Sequence, residues 1–276
     1  MGKSFGQPHQ QLVPFELENQ ELSNLHSMKI IGIIPARYTS TRFPGKPLVD
    51  MLGQTMIQRV YNQVKKSKHL KQVVVATDDQ RIYDHVLSFG GNACMTSGNH
   101  LSGTDRCHEA LKKEKENFDF AINIQGDEPF IDPNQIDLLC SSITLQTELA
   151  TLIQKISTLE QLNSPGEAKV VINKDQEAIY FSRSPIPFVQ KGDLKDWIGK
   201  TTFYRHVGLY AYRADVLEKI TKLSPSLLEK AESLEQLRWI ENGFKIKTVE
   251  TEMEESICID TPEDLQKALQ ILKASV

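Results

Sequence analysis

The run Ile30-Ile31-Gly32-Ile33-Ile34-Pro35-Ala36-Arg37 decides the fold. Its apolar, β-branched residues are typical of a buried parallel strand, and Pro35 ends the run abruptly. The loop that follows carries three cations, Arg37, Arg42 and Lys46, among prolines and a glycine. This pattern predicts an anion site, with a nucleotide triphosphate as the favoured ligand. The loop has neither the P-loop nor the dinucleotide-binding glycine pattern, so side chains are expected to hold the phosphates.

Beyond Lys29, short β-branched runs alternate with longer amphipathic stretches, which predicts an α/β fold with a mostly parallel sheet. Strands are expected at 30–34, 72–76, 119–124, 169–173, 177–182, 205–211, 245–250 and 256–259. Helices are expected at 53–66, 79–89, 105–116, 132–146, 215–221, 229–242 and 262–273.

The domain organisation follows from two breaks in this alternation. Residues 169–173 and 177–182 predict an antiparallel hairpin, and a polar, Pro-containing loop follows it. Together they predict a subdomain inserted at about 155–215 of a single domain, 29–276. Residues 1–28 are expected to be a polar extension ahead of the fold.

Composition limits the possible partners. The 276 residues contain 32 Lys and Arg against 36 Asp and Glu, a formal net charge of −4, which gives no general attraction for nucleic acid or an anionic membrane. No apolar run reaches the roughly 18 residues of a membrane span. The four cysteines lack a Cys-x-x-Cys pair. We therefore expect a soluble, cytoplasmic protein that neither binds nucleic acid nor inserts into a membrane.

Two aspartates are predicted to lie at strand ends without a capping role. Asp127 follows the strand at 119–124, but Asp132 is the better cap for the next helix because it precedes Pro133. Asp260 follows the short run at 256–259, and there Thr261 is the expected cap. Each aspartate alone is equally consistent with a solvated turn. Together with the cationic loop, the pair predicts a site for one or two Mg²⁺ ions.

Several segments, in order over residues 29–273, resemble one family. They are Pro35-Ala36-Arg37-Tyr38 with Pro44-Gly45-Lys46-Pro47-Leu48, Ala76-Thr77-Asp78, Ser102-Gly103-Thr104-Asp105-Arg106, Gln125-Gly126-Asp127-Glu128-Pro129 and Asp260-Thr261-Pro262-Glu263-Asp264-Leu265. The chain is similar to the 3-deoxy-manno-octulosonate (KDO) cytidylyltransferases, or CMP-KDO synthetases. The related CMP-sialate synthetases typically carry Gly-Ser-Lys in the first loop, where this chain has Thr39-Ser40-Thr41-Arg42.

The resemblance implies a Rossmann-like sheet of the nucleotide-diphospho-sugar transferase type. It implies coupling of CTP to KDO, with Mg²⁺, to give CMP-KDO and pyrophosphate for lipopolysaccharide assembly. The sugar hydroxyl attacks directly, so no covalent enzyme intermediate is expected. A homodimer is also implied, with the inserted subdomain as its interface.

The resemblance also assigns site residues. Arg37, Lys46, Asp127 and Asp260 are the expected catalytic residues, and Asp127 and Asp260 the metal ligands. Nucleotide contacts are expected from Pro35, Ala36, Arg37, Arg42, Lys46, Ser102, Gly103, Arg106 and Asp127. Sugar contacts are expected from Gln125, Arg183, His206, Tyr210, Glu235 and Gln236. Without the resemblance, Ser102 is a plain helix cap, His206 a core histidine and Glu235-Gln236 an ordinary helix surface.

Three alternatives stay open from the sequence. The first is a cytidylyltransferase for a related acidic sugar, 8-amino-KDO or sialate. The second is another transferase that uses a nucleotide-sugar, although Gln125-Gly126-Asp127 departs from the Asp-x-Asp pair of such enzymes. The third is a non-catalytic nucleotide-binding protein.

Overall fold

The structure, a computed structural model, describes residues 28–253 and 257–274. The strands are β1 (Ile30–Ala36), β2 (Gln72–Thr77), β3 (Ala93–Met95), β4 (Phe120–Asn123), β5 (Leu149–Lys155), β6 (Lys169–Ile172), β7 (Ala178–Ser182), β8 (Tyr204–Arg213) and β9 (Ile246–Glu250). The α-helices are α1 (Met56–Val64), α2 (Gln80–Ser88), α3 (Gly103–Lys113), α4 (Pro133–Ser142), α5 (Leu159–Asn163), α6 (Ala214–Ile220), α7 (Leu227–Glu232), α8 (Gln236–Glu241) and α9 (Pro262–Ala274).

The central sheet has the strand order β3-β2-β1-β4-β8-β5-β9. Strand β1 pairs in parallel with both β2 and β4, and β5 pairs in parallel with β9. Only β8 runs against its neighbours β4 and β5 in this path. This confirms the predicted α/β fold with a mostly parallel sheet. Among the described residues, no helix is both long enough and apolar enough to cross a membrane.

Both faces of the sheet are buried, as continuous β-branched runs predict. Along β1, Ile30 and Ile34 face one core and Ile31 and Ile33 the other. The first core receives apolar side chains from α1, α2 and α4, and the second from α3, α6 and α8. The two helical layers leave the carboxyl ends of the parallel strands open, which is where such sheets bind ligands.

The predicted hairpin is present, since β6 and β7 pair antiparallel. Strand β6 also continues beside β8, with Lys169 opposite Arg205. Strand β8 is a central strand of the main sheet. The segment inserted after β5 therefore ends at residue 204, where β8 begins. This part has a small core of its own, formed by Ile156, Leu162, Trp197 and Phe203.

Other sequence predictions need correction. Strands β3 and β5 and helix α5 were not predicted, although β5 lies between β8 and β9. The helix expected at 229–242 is two helices, because Ser233 adopts a left-handed conformation (φ 53°) that ends α7. No strand forms at 257–259, and Ser256 lies outside the described residues. The predicted extension 1–28 lies outside them too, except for Met28.

Candidate active site

A cavity of about 400 Å³ opens at the carboxyl ends of β1 and β4. It brings together seven of the residues predicted to bind the nucleotide, the metal or the sugar: Pro35, Ala36, Arg37, Arg42, Lys46, Gln125 and Asp127. Thr39, Ser40, Thr41, Pro47 and Gly126 complete the lining. The cavity is therefore built from the cationic loop on one side and the segment after β4 on the other.

Glycines shape both segments. Gly45 has a left-handed conformation (φ 73°) and donates its N–H to the Tyr38 carbonyl (2.8 Å), which closes the cationic loop ahead of a 3-10 turn, Lys46–Leu48. A Cβ on Gly126 would lie 2.6 Å from the Pro35 carbonyl oxygen. That distance is shorter than atomic contact allows, so only glycine lets the segment after β4 approach β1 this closely.

Lys46 joins the two predicted metal ligands. Its Nζ lies 2.7 Å from Asp127 Oδ2 and 3.0 Å from Asp260 Oδ1, and it donates to the Ile259 carbonyl at 3.1 Å. Burial alone would lower the pKa of Lys46, but Asp127 and Asp260 outweigh it and raise the pKa. The residue is therefore a firmly charged ammonium at neutral pH.

Asp260 reaches this position without a preceding strand. The Ile259 N–H donates to the Asp127 carbonyl (2.9 Å), which fixes the segment directly against the loop after β4. As predicted, neighbours supply the helix caps: Asp132 accepts from Asn134 N–H, and Thr261 and Asp264 cap each other. Both aspartate side chains are thus left to face Lys46.

The other two cations have different partners. Arg42 pairs with Asp260 Oδ2 at 3.0 Å and is largely exposed. Arg37 donates to the backbone carbonyls of His100 (2.6 Å) and Ser102 (3.4 Å). Burial, and secondarily the nearby Arg106, lowers the pKa of Arg37, whereas Asp78 and Asp105 oppose that shift. Three cations against two carboxylates leave the site with one excess positive charge, which suits an anionic ligand.

The donor set fits a magnesium ion. One ligand atom each from Asp127, Asp260 and Cys258 lie within 4.8 Å of one another. Carboxylate oxygens are the hard ligands that Mg²⁺ prefers. Partial enclosure of the thiol and the neighbouring carboxylates raise the pKa of Cys258 well above its usual range. A protonated thiol is a poor ligand for Mg²⁺, so Asp127 and Asp260 are the residues that could hold it.

The Ser102–Arg106 segment lies beside this cavity. Ser102 caps α3, as its alternative interpretation predicts, and accepts from Asp105 N–H. Arg106 is fully buried and pairs with Asp78 at 3.2 Å, so it lies behind the segment rather than in the cavity lining. Asp78 belongs to the Ala76-Thr77-Asp78 segment, and no sequence signal identified it as the partner of Arg106.

Glu235 connects the same segment to α8. Its Oε2 accepts a hydrogen bond from Thr104 Oγ1 at 2.7 Å. Burial raises the pKa of Glu235, although hydrogen bonds from Thr104 and Ser102 oppose that shift. Glu235 is therefore not the ordinary surface residue that its helical setting alone suggests. The sequence did not identify Thr104 as its partner.

A bulge in β8 brings His206 and Tyr210 together. In a regular strand, residues i and i+4 lie about 13 Å apart. Here the register passes from Thr151 opposite Tyr210 to Leu152 opposite Val207, so two residues of β8 loop out. The rings of His206 and Tyr210 consequently lie 5.0 Å apart. Strand alternation predicts that His206 and Tyr210 lie on one face of β8, but the bulge is what brings their rings into contact.

The hydrogen bonds of Thr151 fix the tautomer of His206. Thr151 Oγ1 has one proton, and two backbone carbonyls compete for it, those of Leu209 (2.8 Å) and Val207 (3.2 Å). It can therefore only accept from His206 Nε2, 2.9 Å away. This leaves the Nδ1 lone pair of His206 as an acceptor. Desolvation lowers the pKa of His206 to about 4, so the ring is neutral at pH 7.

Two buried polar atoms near this bulge lack a protein partner among the described residues. They are Tyr210 OH and Asn123 Oδ1, on residues that face each other across β8 and β4. Buried polar atoms normally have a partner, so these two indicate a position for a ligand or water. Gln125, two residues beyond Asn123, donates from Nε2 to the Gly208 carbonyl in the bulge (3.1 Å).

Arg183 lies where α7 ends. Its guanidinium donates to the carbonyls of Glu232 (2.8 Å), Ser233 (3.2 Å) and Pro165 (2.8 Å). The Glu232 carboxylate accepts from the Arg183 backbone N–H (2.9 Å), and the charge of Arg183 helps to lower the pKa of that carboxyl. Gln236, the first residue of α8, is buried. Of the six residues predicted to contact the sugar, only Gln125 lines the cationic cavity. The other five lie outside its lining: Arg183, His206, Tyr210, Glu235 and Gln236.

Comparisons with known proteins agree with this geometry. A model of the cytidylyltransferase family matches residues 31–246. A 3-deoxy-manno-octulosonate cytidylyltransferase of Cytophaga hutchinsonii is 55% identical over 240 residues, 87% of this chain and 96% of the relative. The protein of the same name from Parabacteroides distasonis is 56% identical over 250 residues, 89% of this chain and 98% of the relative.

A solved structure extends the comparison. CMP:2-keto-3-deoxy-manno-octonic acid synthetase, complexed with CTP, is 41% identical and superposes with a TM-score of 0.83 over 90% of this chain and 100% of that one. Identity and coverage of this size leave the family in no doubt. The chain belongs to the cytidylyltransferase family, in its 3-deoxy-manno-octulosonate cytidylyltransferase branch.

Proposed function

We propose that this protein transfers the cytidylyl group of CTP to KDO, giving CMP-KDO and pyrophosphate. The observation that carries the proposal is the contact of Lys46 and Arg42 with Asp127 and Asp260, which sets phosphate-binding cations beside hard oxygen ligands. The relatives named 3-deoxy-manno-octulosonate cytidylyltransferase and the solved CTP complex support these two substrates.

The reaction is an in-line displacement. The anomeric hydroxyl oxygen of KDO attacks the α-phosphorus of CTP and gives up its proton to water, and the bond from that phosphorus to the pyrophosphate oxygen breaks. Negative charge grows on the departing pyrophosphate, and Arg37, Arg42 and Lys46 are the side chains that offset it. Because the sugar hydroxyl is itself the nucleophile, the reaction needs no covalent enzyme intermediate.

Asp127 and Asp260 would hold Mg²⁺. When bound, the ion supplies positive charge to the α-phosphate and favours ionisation of the attacking hydroxyl. In the structure Lys46 donates to both carboxylates.

The sugar would be held from the bulge and the α7–α8 junction. Arg183 offers a positive charge to the KDO carboxylate, and His206 Nδ1 offers an acceptor to a hydroxyl. Glu235 is a second acceptor, and Gln125, Tyr210 and Gln236 add polar contacts. The unpartnered Tyr210 OH supports this assignment, since a substrate hydroxyl would satisfy it.

We also propose that the protein works as a homodimer in the cytoplasm, in lipopolysaccharide assembly. Phe188, which is 76% exposed, and Ile179, which is 54% exposed, both lie in the segment between β5 and β8, and a second copy could cover them. The cysteines are free, as expected in a reducing compartment. Sedimentation of the wild type and of Phe188→Asp tests the dimer, which the variant should weaken.

The direct test of the proposed function is pyrophosphate release. With CTP, KDO and Mg²⁺ all present, release should be catalysed, and omission of any one should abolish it. Asp127→Asn serves as the control, because it keeps the size of the side chain and removes its charge. Absence of release from the complete mixture would refute the proposal.

A further inference from the structure

The contacts of Lys46 account for its whole hydrogen-bonding capacity. An ammonium group has three N–H donors. They point to Asp127 Oδ2 at 2.7 Å, Asp260 Oδ1 at 3.0 Å and the Ile259 carbonyl at 3.1 Å. In this arrangement Lys46 has no proton left for a phosphate oxygen, although the proposed reaction assigns it to the triphosphate.

The aspartates are engaged by the same contacts. Lys46 takes one oxygen of each carboxylate, and Arg42 takes the second oxygen of Asp260 at 3.0 Å. The side chain of Lys46 is only 14% exposed, whereas that of Arg42 is 64% exposed. Solvent screens the exposed pair strongly and the Lys46 pairs much less, so Lys46 is the dominant counter-ion.

We infer that Lys46 is an exchangeable internal counter-ion, which pairs with Asp127 and Asp260 until Mg²⁺ and the triphosphate bind and then moves from the carboxylates to the phosphates. The inference rests on the proposed function and adds to it a coupling between the two ligands. Lys46 acts here as a positioning residue that links the metal half of the site to the phosphate half.

The reason for the coupling is the cost of an unpaired, partly buried charge. If the metal bound alone, it would take the carboxylates and leave Lys46 without a counter-charge. If the triphosphate bound alone and attracted Lys46, Asp127 would be left without its cation and Asp260 would keep only the exposed, screened pair with Arg42. When both bind, every charge has a partner. Each ligand should therefore increase the affinity for the other, by the same factor.

The test measures metal affinity without nucleotide. Binding of Mn²⁺, a spectroscopic substitute for Mg²⁺, is followed by electron paramagnetic resonance. In Lys46→Met the carboxylates lose their competing cation, so Mn²⁺ should bind more tightly than in the wild type, by about 5- to 150-fold, the usual range of coupling between sites. A lysine that served only the phosphates, or only the packing of the loop, would not produce this gain.

Arg37→Met is the matched control. Arg37 lines the same cavity but donates to backbone carbonyls rather than to the aspartates. Its removal should leave Mn²⁺ affinity without nucleotide unchanged and weaken CTP binding. Lys46→Arg keeps the positive charge and should keep Mn²⁺ binding weak. Asp127→Asn should lose the Mn²⁺ signal, which establishes that the signal reports on this site.

A second measurement adds CTP. In the wild type, CTP should tighten Mn²⁺ binding by a larger factor than it does in Lys46→Met. Circular dichroism verifies that each variant is folded, and Lys46→Gln replaces the methionine variant if that one is not. Tighter Mn²⁺ binding by the neutral variant, with reduced coupling to CTP, is the expected result.

Two results would overturn the inference, and they are distinguishable. If wild type binds Mn²⁺ with CTP and releases pyrophosphate, but Lys46→Met binds Mn²⁺ no tighter than wild type, the inference fails and the proposed function stands. If wild type binds no Mn²⁺ even with CTP and KDO and releases no pyrophosphate, both fail.

Discussion

At the scale of the single residue, the important feature of Asp127 and Asp260 is that neither side chain caps a helix. Neighbouring residues supply the caps, so both carboxylates face Lys46. We predict that Asp127→Asn or Asp260→Asn lowers kcat by about 100-fold or more, the usual cost of losing a preorganised charge in an active site. Steady-state kinetics measure the loss, and circular dichroism should show an unchanged fold. Near-normal turnover in either variant would remove that residue from the metal site.

Arg183 allows a second prediction at this scale. We expect Arg183→Ala to raise the KM for KDO with little change in the KM for CTP, because its charge is assigned to the sugar carboxylate. Arg183→Lys, which keeps the charge but not the planar fork, should recover only part of the affinity. Since Arg183 also donates to carbonyls at the end of α7, thermal unfolding is measured in parallel. An effect confined to CTP would contradict the assignment.

At the scale of the element, the site depends on the close approach of the segment after β4 to the end of β1. A Cβ on Gly126 would lie 2.6 Å from the Pro35 carbonyl, so Gly126→Ala must push the segment after β4 away from β1. We expect a loss of about 1–3 kcal/mol in the free energy of unfolding, together with weaker CTP binding. Urea denaturation and CTP titration provide the two measurements.

Gly103→Ala is the matched control for stability. A Cβ there would lie 3.6 Å from Pro35 Cγ, an ordinary contact, and Gly103 begins α3, where alanine is the better helix former. The variant should be as stable as the wild type or slightly more stable. Equal losses of stability in the two variants would show that the close approach at Gly126 is not the cause.

The elements also show what sequence could and could not predict. Strands β1, β2 and β9 were predicted within two residues, because β-branched runs and capping residues mark them locally. Strand β5 was not predicted. Its short apolar run shows neither strand alternation nor helical periodicity, so the pattern alone does not distinguish a strand from the end of the preceding helix. The bulge in β8 and the break at Ser233 involve contacts between distant residues that a local pattern does not encode. Examples are the hydrogen bonds from Thr151 to the Leu209 carbonyl and from Arg183 to the Ser233 carbonyl.

At the scale of the whole molecule, His206 makes stability depend on pH. Its folded pKa of about 4 lies below the ordinary value of 6.5, so the unfolded chain binds the proton more readily. The stabilisation is present above pH 6.5 and is lost as the pH falls toward 4. We predict that this residue accounts for a decrease on the order of 3 kcal/mol in the free energy of unfolding between pH 7 and pH 4.

Urea denaturation of wild type and His206→Gln at both pH values measures this contribution. The difference in free energy of unfolding between pH 7 and pH 4 should be smaller in the variant. An identical pH dependence in the two proteins would mean that His206 titrates normally in the folded state.

The site as a whole is assembled from segments that are distant in sequence. Residues 35–47, 125–127 and 258–260 meet at the carboxyl end of the sheet. We predicted this meeting by placing Asp127 and Asp260 at strand ends beside the cationic loop, but the strand expected before Asp260 does not form at 257–259. The pairing of Lys46 with both aspartates could not be predicted, because it depends on distances between these segments.

The central claim is that CTP and KDO are joined at this site, and product identity tests it most directly. The protein is incubated with CTP and Mg²⁺ and either KDO or sialate, and products are identified by mass spectrometry with kcat/KM measured for each sugar. We predict CMP-KDO as the product and a kcat/KM for KDO that far exceeds that for sialate. Formation of CMP-sialate without CMP-KDO would contradict the account.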